Sequence, residues 1–138
     1  MLFTDPRFVL GFQYPPITPQ GHLVERAERQ REAAIHIHLT SKDSPELYFE
    51  ITKYINLPPE AEYQQHKENL EKRPERFVVS DLKEIQWLSQ PAYEYSLKWG
   101  QARRIVRLIQ VENDTYRFLY DPKSPLNARI LLTIQWKY

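Results

Sequence analysis

Two histidines spaced two residues apart are the first residues that could bind a metal ion. His36 and His38 lie where apolar and polar residues alternate, so both imidazoles point to one face of a predicted strand. A zinc or nickel ion would need a third ligand, which His22 or Glu50 could supply. No HExxH motif or cysteine accompanies the pair, and histidines on the solvent face of a strand need no metal. The sequence therefore predicts no metal site, and a metal-dependent hydrolase stays an alternative.

Arginine and aromatic residues in the C-terminal half form the second candidate site. Sheets that stack nucleic-acid bases on aromatic rings have this composition, but 19 Lys and Arg against 18 Asp and Glu leave a formal charge of only +1. This balance disfavours single-stranded nucleic acid. We instead predict binding of a protein, either another chain or a second copy, through burial of Tyr and Trp with Arg setting the orientation. The candidate partner-binding residues are Tyr93, Tyr95, Trp99, Arg104, Arg107 and Arg117.

No motif of a known catalytic class occurs in the chain. It has no cysteine, no GxSxG motif and only three glycines, too few for a loop that cradles phosphates with backbone amides. We therefore predict no catalytic residue and no cofactor, and a non-catalytic binding or assembly protein. The alternative is a carrier of a small apolar ligand in a pocket between sheet and helices, because aromatic residues make up 13% of the chain.

Length and composition indicate one ordinary domain, residues 1–138, of the α+β class. The 138 residues are 41% hydrophobic, enough for a packed core. No apolar run approaches the ~18 residues of a membrane span, and the first residues lack the pattern of a signal peptide. A cytoplasmic location is the expectation.

Period-2 alternation of apolar and polar residues predicts the strands of an antiparallel sheet. The clearest are 35–40, 46–53, and a C-terminal meander of three strands at 92–99, 103–111 and 115–120. Residues 77–80 and 85–88 are shorter β-like pieces. Residues 22–34 are rich in Glu, Arg and Ala without an apolar stripe, so strand, helix and loop all stay open there.

Proline positions predict two helices. A polar helix is expected at about 59–73, with Pro59 in its first turn and Pro74 after its end. A short C-terminal helix is expected at about 125–133, where Ser124 would be the N-cap, followed by an extended tail. Alternate residues from Ala128 to Tyr138 also fit a strand, and the Ser-Pro start favours the helix.

From Glu46 onward the order of features resembles the PsbP-like and Mog-like α/β sandwich superfamily. The similar segments are ELYFEITKY, the helix PPEAEYQQHKENLEKR, the strand SQPAYEYSLKW, and then RIVRLIQ, TYRFLYDP and SPLN. The chain departs from the family where Ser89 or Gln90 replaces a glycine before Pro91. The resemblance implies an antiparallel sheet flanked by helices and a binding or assembly role. It carries no Ran-binding or metal-site residue over to this chain.

Overall fold

A computed structural model describes residues 1–137 of the chain; Tyr138, the last residue of the competing strand pattern, lies outside them. The described residues form thirteen elements in chain order. They are β1 (Leu2–Phe3), β2 (Leu10–Gln13), β3 (Val24–Arg31), β4 (Ala34–Ser41), β5 (Ser44–Tyr54), α1 (Pro59–Glu71), β6 (Val78–Val79), β7 (Lys83–Trp87), β8 (Gln90–Trp99), β9 (Ala102–Val111), β10 (Asp114–Tyr120), α2 (Pro125–Leu132) and β11 (Gln135–Trp136).

The strands form two antiparallel sheets. The larger sheet has eight strands in the order β3-β4-β5-β10-β9-β8-β6, with β7 also paired to β8, and β1-β2-β11 form a small second sheet. The predicted α+β class and the three-strand meander β8-β9-β10 are confirmed. The expectation of one sheet is wrong, because the aromatic N-terminal stretch pairs with the C-terminal tail through β2 and β11.

The open region 22–34 contains an edge strand. β3 pairs with β4 from Val24 opposite Ser41 to Arg31 opposite Ala34, around a two-residue turn. Seven of its eight residues are exposed. Both faces of this edge strand are exposed to solvent, so neither face is apolar. The alternation of apolar and polar residues that identifies most strands is therefore missing here.

The two faces of the large sheet bury separate apolar clusters. One face is covered by the small sheet and α2, and its cluster includes Phe12, Ile37, Phe49, Phe118 and Ile130. The opposite face is covered by α1 over β8, β9 and β10, with a smaller cluster that includes Tyr63, Leu70, Tyr95, Val106 and Leu108. The α1 cluster does not include residues of β3 or β4. That half of the second face carries polar side chains.

Both helices begin at the predicted prolines and end slightly early. α1 ends at Glu71 where 73 was expected, and α2 ends at Leu132 where 133 was expected. Ser124 is the N-cap residue of α2, as predicted, but its hydroxyl makes no capping hydrogen bond. The hydroxyl donates instead to the Glu46 carbonyl and so ties the start of α2 to β5. Within residues 1–137, neither helix has the length and apolar character needed to cross a membrane.

The turn between β7 and β8 carries backbone conformations that favour glycine. Leu88 and Ser89 have φ of 54° and 64°, in the left-handed region where a side chain is disfavoured. Ser89 therefore has a backbone conformation that glycine adopts more easily than serine does.

Replacing Leu39 by alanine should destabilise the chain far more than replacing Leu132. Leu39 is 1% exposed in the large apolar cluster, whereas Leu132 on α2 is 86% exposed. We expect Leu39→Ala to lower the free energy of unfolding by about 2–5 kcal/mol and Leu132→Ala to change it by less than about 0.5 kcal/mol. Urea unfolding measures both, and similar losses in the two variants would contradict this core.

Candidate functional site

Five of the six predicted partner-binding residues share the face of the large sheet that carries α1. Directly opposed residues of neighbouring antiparallel strands point to the same face, and the register pairs Tyr93 with Leu108 and Leu108 with Arg117. Arg107 is opposite Glu94 and therefore lies on the other face. The structure therefore divides the set; the five on the α1 face are Tyr93, Tyr95, Trp99, Arg104 and Arg117.

Most of these residues are used inside the fold. Tyr95 is 2% exposed and packs edge-on against Tyr63 of α1, with ring centroids 5.0 Å apart. The Arg104 guanidinium lies over the rings of Tyr48 and Trp99, at 4.4 and 5.3 Å. Tyr95 is therefore not accessible to a partner.

The remaining members keep some exposure. Arg107 lies 5.2 Å over the Trp87 ring, and its Nε donates to Glu94 at 3.0 Å. Trp99 packs against Phe77 with ring centroids 5.0 Å apart. Tyr93 and Trp99 are both half-buried. These three residues do not form one continuous exposed surface, because Arg107 is on the opposite face.

Beneath α1, a buried ion pair joins the helix to the sheet. Nη1 of Arg117 on β10 donates to Oε1 of Glu62 at 3.0 Å, and the two side chains are 12% and 2% exposed. Burial disfavours a charged group, but neighbouring Tyr54 and Glu62 raise the pKa of Arg117, so its guanidinium stays charged. The pair therefore fixes the position of α1 over the sheet.

Tyr95 and His66 extend this ion pair into a hydrogen-bonded chain. The Tyr95 hydroxyl donates to the Glu62 carboxylate at 3.0 Å and lies 2.6 Å from Nδ1 of His66. Since a hydroxyl has one hydrogen, the consistent arrangement has His66 donating from Nδ1 to Tyr95. Burial lowers the pKa of His66 to about 3, so its ring is neutral at pH 7.

A second buried carboxylate lies on β5. Nε2 of His36 and the Tyr48 hydroxyl each lie 2.8 Å from an oxygen of Glu50. Burial tends to raise the pKa of Glu50, but these hydrogen bonds outweigh it and hold the pKa at about 2. Nδ1 of His36 lies 2.6 Å from the Thr52 hydroxyl. Both ring nitrogens of His36 are therefore engaged within the protein.

Beside these residues a polar pocket of about 360 Å³ opens on the uncovered half of the α1 face. This volume is in the range of small-molecule sites. β3, β4, β5 and β10 contribute to its wall, together with the residue two positions beyond the end of α1. We call it the arginine pocket; its lining residues are Arg29, Arg31, Ala34, His36, Glu50, Thr52, Tyr54, Arg73 and Arg117.

Three of the four arginines in this pocket lack a carboxylate partner. Of the residues that the structure describes, none forms an ion pair with Arg29, Arg31 or Arg73, and all three are exposed. Arg117 is paired with Glu62, and Glu50 is the acidic residue in the lining. The arginine pocket therefore carries an excess of positive charge.

The lining residues favour binding over proton transfer. Glu50, with its pKa of about 2, is a weak base. Burial raises the pKa of Tyr54, so its hydroxyl keeps its proton at neutral pH. His36 has both nitrogens engaged. The groups facing the cavity therefore offer fixed charge and hydrogen-bond donors.

The histidine pair is not part of a metal cluster. The His36 and His38 rings are 6.2 Å apart, and His38 packs edge-on against Tyr48 at 4.6 Å. Glu50, one of the expected third ligands, is near His36, but His22 contacts Glu46 instead. Among residues 1–137, no group of three or more His, Cys, Asp or Glu is placed to hold a metal ion.

A larger cavity of about 450 Å³ lies elsewhere, between the N-terminal segment and α2. Apolar residues including Met1, Tyr14, Ile17, Leu126 and Ile130 contribute to its lining. Two of its polar groups are hydrogen-bonded to each other, because the backbone N–H of Gln13 donates to the Thr133 hydroxyl at 2.8 Å. The groove is away from the space between α1 and the large sheet, and it lacks the set of convergent charges that distinguishes the arginine pocket.

Sequence reasoning missed most of the arginine pocket. Arg29 and Arg31 fall in the segment whose structure stayed open, and Arg73 was predicted only as the last residue of the polar helix. Glu62 and His66 lie on the buried stripe of α1, four residues apart. Polar residues at helical spacing with Tyr63 and Leu70 were the available signal for a buried polar contact.

Comparison with known proteins identifies no relative: the sequence matches no family model and no curated protein.

Removing the imidazole of His66 should reduce the loss of stability in mild acid. His66 is neutral in the fold, whereas the unfolded chain binds a proton there below about pH 6.5. Stability is therefore lost as pH falls from 6.5 towards 3. Between pH 7 and pH 5, we expect the free energy of unfolding of the wild-type chain to fall by about 2 kcal/mol more than that of His66→Gln.

Urea unfolding of both proteins at the two pH values measures the difference. Burial raises the pKa of Glu62, so protonation of Glu62 stabilises the fold as the pH falls. This effect is present in both proteins, so the difference between them reports on His66 alone. Glutamine keeps an amide donor for the Tyr95 hydroxyl. Equal pH dependence in the two proteins would show that His66 is not kept neutral by the fold.

Proposed function

We propose that this chain is a non-catalytic binding protein whose arginine pocket takes a small anionic ligand bearing phosphate or carboxylate groups. The observation that carries the proposal is the convergence of three unpaired guanidiniums, from Arg29, Arg31 and Arg73, with Arg117 on one cavity of about 360 Å³. Like charges gathered without partners repel each other, so an arrangement of this kind is stabilised by a bound anion.

Arginine suits this ligand chemistry. Its planar guanidinium binds the oxygens of a phosphate or carboxylate through two parallel hydrogen bonds. Arg117 is held in place by Glu62 and lies 5.3 Å over the Tyr54 ring, so it offers a positioned charge at the base of the pocket. Arg29, Arg31 and Arg73 are exposed and can close on the ligand from the rim.

A small ligand fits these observations better than a nucleic-acid strand does. Binding along a strand requires positive charge spread over several nucleotides, whereas the unpaired arginines surround one cavity. A binding role fits better than catalysis because Glu50 and His36 are engaged in internal hydrogen bonds. An apolar ligand does not match the arginine pocket, whose lining has four arginines; the larger cavity between the N-terminal segment and α2 is the place where an apolar ligand would fit.

The expectations from the sequence add to this proposal. Tyr93, Trp99 and Arg107 stay candidates for contact with a protein partner. The resemblance to the PsbP-like and Mog-like α/β sandwich superfamily stays a prediction and implies the same class of role, binding or assembly. A cytoplasmic location also stays a prediction.

Neutralising the three unpaired arginines should abolish most of the anion binding. We expect pyrophosphate or citrate to bind the wild-type chain, and the triple variant R29Q/R31Q/R73Q to bind about a hundredfold or more weakly, because each charge-assisted hydrogen bond contributes about 1.5–3 kcal/mol. Isothermal titration calorimetry measures both affinities. Comparing the two probes distinguishes a preference for phosphate from one for carboxylate groups.

The matched control removes three positive charges elsewhere. Lys98, Arg103 and Arg129 are exposed and do not line the arginine pocket, so K98Q/R103Q/R129Q makes the same change in net charge. We expect this variant to keep affinity within about threefold, with the small loss due to long-range charge. Equal weakening by both triple variants, or no heat with either probe at low salt, would refute the proposed site.

A further inference from the structure

The outer edge of β3 pairs with no other strand among the described residues. β3 is the last strand of the large sheet, and among the described residues its outward backbone contacts end at Val24, whose amide donates to the Pro16 carbonyl at 3.0 Å. A free strand edge can pair with another strand, and the charged side chains along it restrict which strands fit. The remaining outward groups of β3 are therefore available to a second strand.

The hairpin geometry determines which residues of β3 point their backbone groups outward. Arg31 and Ala34 flank the two-residue turn and pair with each other, so alternate residues from Arg31 back to Glu25 bond to β4. Arg26, Glu28 and Gln30 then direct their amides and carbonyls to the free edge. The bond from Val24 to Pro16 agrees with this assignment, because Val24 belongs to the same alternate set.

Residues at equal distances on either side of Ala27 in β3 carry opposite charges. Reading outward from Ala27, Arg26 and Glu28 have opposite signs, and so do Glu25 and Arg29. Arg26 and Glu28 also have partners within the chain, Asp5 at 3.7 Å and Arg7 at 2.5 Å, whereas Glu25 and Arg29 have none among the described residues. We propose that β3 pairs antiparallel with β3 of a second copy of this chain about a two-fold axis at Ala27, making one continuous sheet. Arg26 would oppose Glu28 of the second copy, and Glu25 would oppose Arg29, each pair occurring twice by symmetry. Because Arg29 also lines the arginine pocket, the dimer would bring Glu25 of the second copy to the rim of that pocket.

Neighbouring registers lack this complementarity. Moving the axis by one residue towards the C-terminus places Glu28 opposite Glu28, and moving it by one towards the N-terminus places Arg26 opposite Arg26. In the register at Ala27, Arg26 and Glu28 form the hydrogen-bonded pair, and these are residues whose backbone amides and carbonyls point to the free edge. The small Ala27 side chain occupies the close non-hydrogen-bonded position on the axis. The charges thus select one register of one partner.

Cysteine crosslinking tests the register directly, because the chain has no cysteine of its own. In Ala27→Cys the two thiols would face each other in a non-hydrogen-bonded pair, a separation that a disulfide spans. In the control Gln30→Cys, on the same exposed edge, the thiols would be about 20 Å apart. Non-reducing electrophoresis after mild oxidation should show at least about tenfold faster dimer formation for Ala27→Cys. Equal rates would overturn the proposal.

Charge variants test the partner. Glu25→Arg with Glu28→Arg makes a basic strand, and Arg26→Glu with Arg29→Glu makes an acidic strand. By light scattering at about 100 μM we expect a wild-type dimer, each variant alone to self-associate about tenfold or more weakly, and their equimolar mixture to recover the dimer. Thermal unfolding checks that both variants fold. A monomeric wild-type chain, or a mixture no more associated than its components, would overturn the proposal.

Discussion

The buried ion pair between Arg117 and Glu62 is the constraint on which the arrangement of α1 and the arginine pocket depends. Isolated charges in a protein interior are costly, and a pair is tolerated only when its geometry is good and its oxygens are satisfied. Here Glu62 also accepts from Tyr95, which contacts His66. Since Glu62 and His66 belong to α1 while Arg117 and Tyr95 belong to the sheet, these contacts set where the helix lies. Because Arg73 lies two residues beyond the end of α1, the position of the helix also sets the position of Arg73.

This placement divides one face of the large sheet into two chemically different halves. Over β8 and β9, α1 covers Tyr95, Val106 and Leu108 and buries an apolar cluster. Over β4 and β5 the face stays polar, and Glu50, His36 and Thr52 satisfy one another. Arg117 lies at the boundary, where it pairs with the helix and also lines the arginine pocket. The same contact that attaches the helix therefore supplies a positioned charge to the candidate site.

The sequence predicted the elements that have a buried face, because apolar residues recur along them with a regular period. It did not predict the elements that are almost fully exposed, because these elements have no such period. The meander and β4 alternate clearly, and prolines mark the starts of both helices. β3 has no such signal because its side chains are almost all exposed. Alternation placed Tyr95 on one face with Trp99 but could not show that α1 covers that face. The arginine pocket was missed because Arg29, Arg73 and Arg117 come from separated segments, and only the sheet order and the helix position bring them together.

A double-mutant cycle between Arg117 and Glu62 tests the central claim most directly. The free energy of unfolding is measured at pH 7 for the wild-type chain, Arg117→Met, Glu62→Gln and the double variant. If the ion pair holds α1 on the sheet, each single variant leaves a buried group without its partner, and the double variant loses about 2 kcal/mol less than the two single losses combined. Losses that add to within about 0.5 kcal/mol would mean that the pair does not attach the helix.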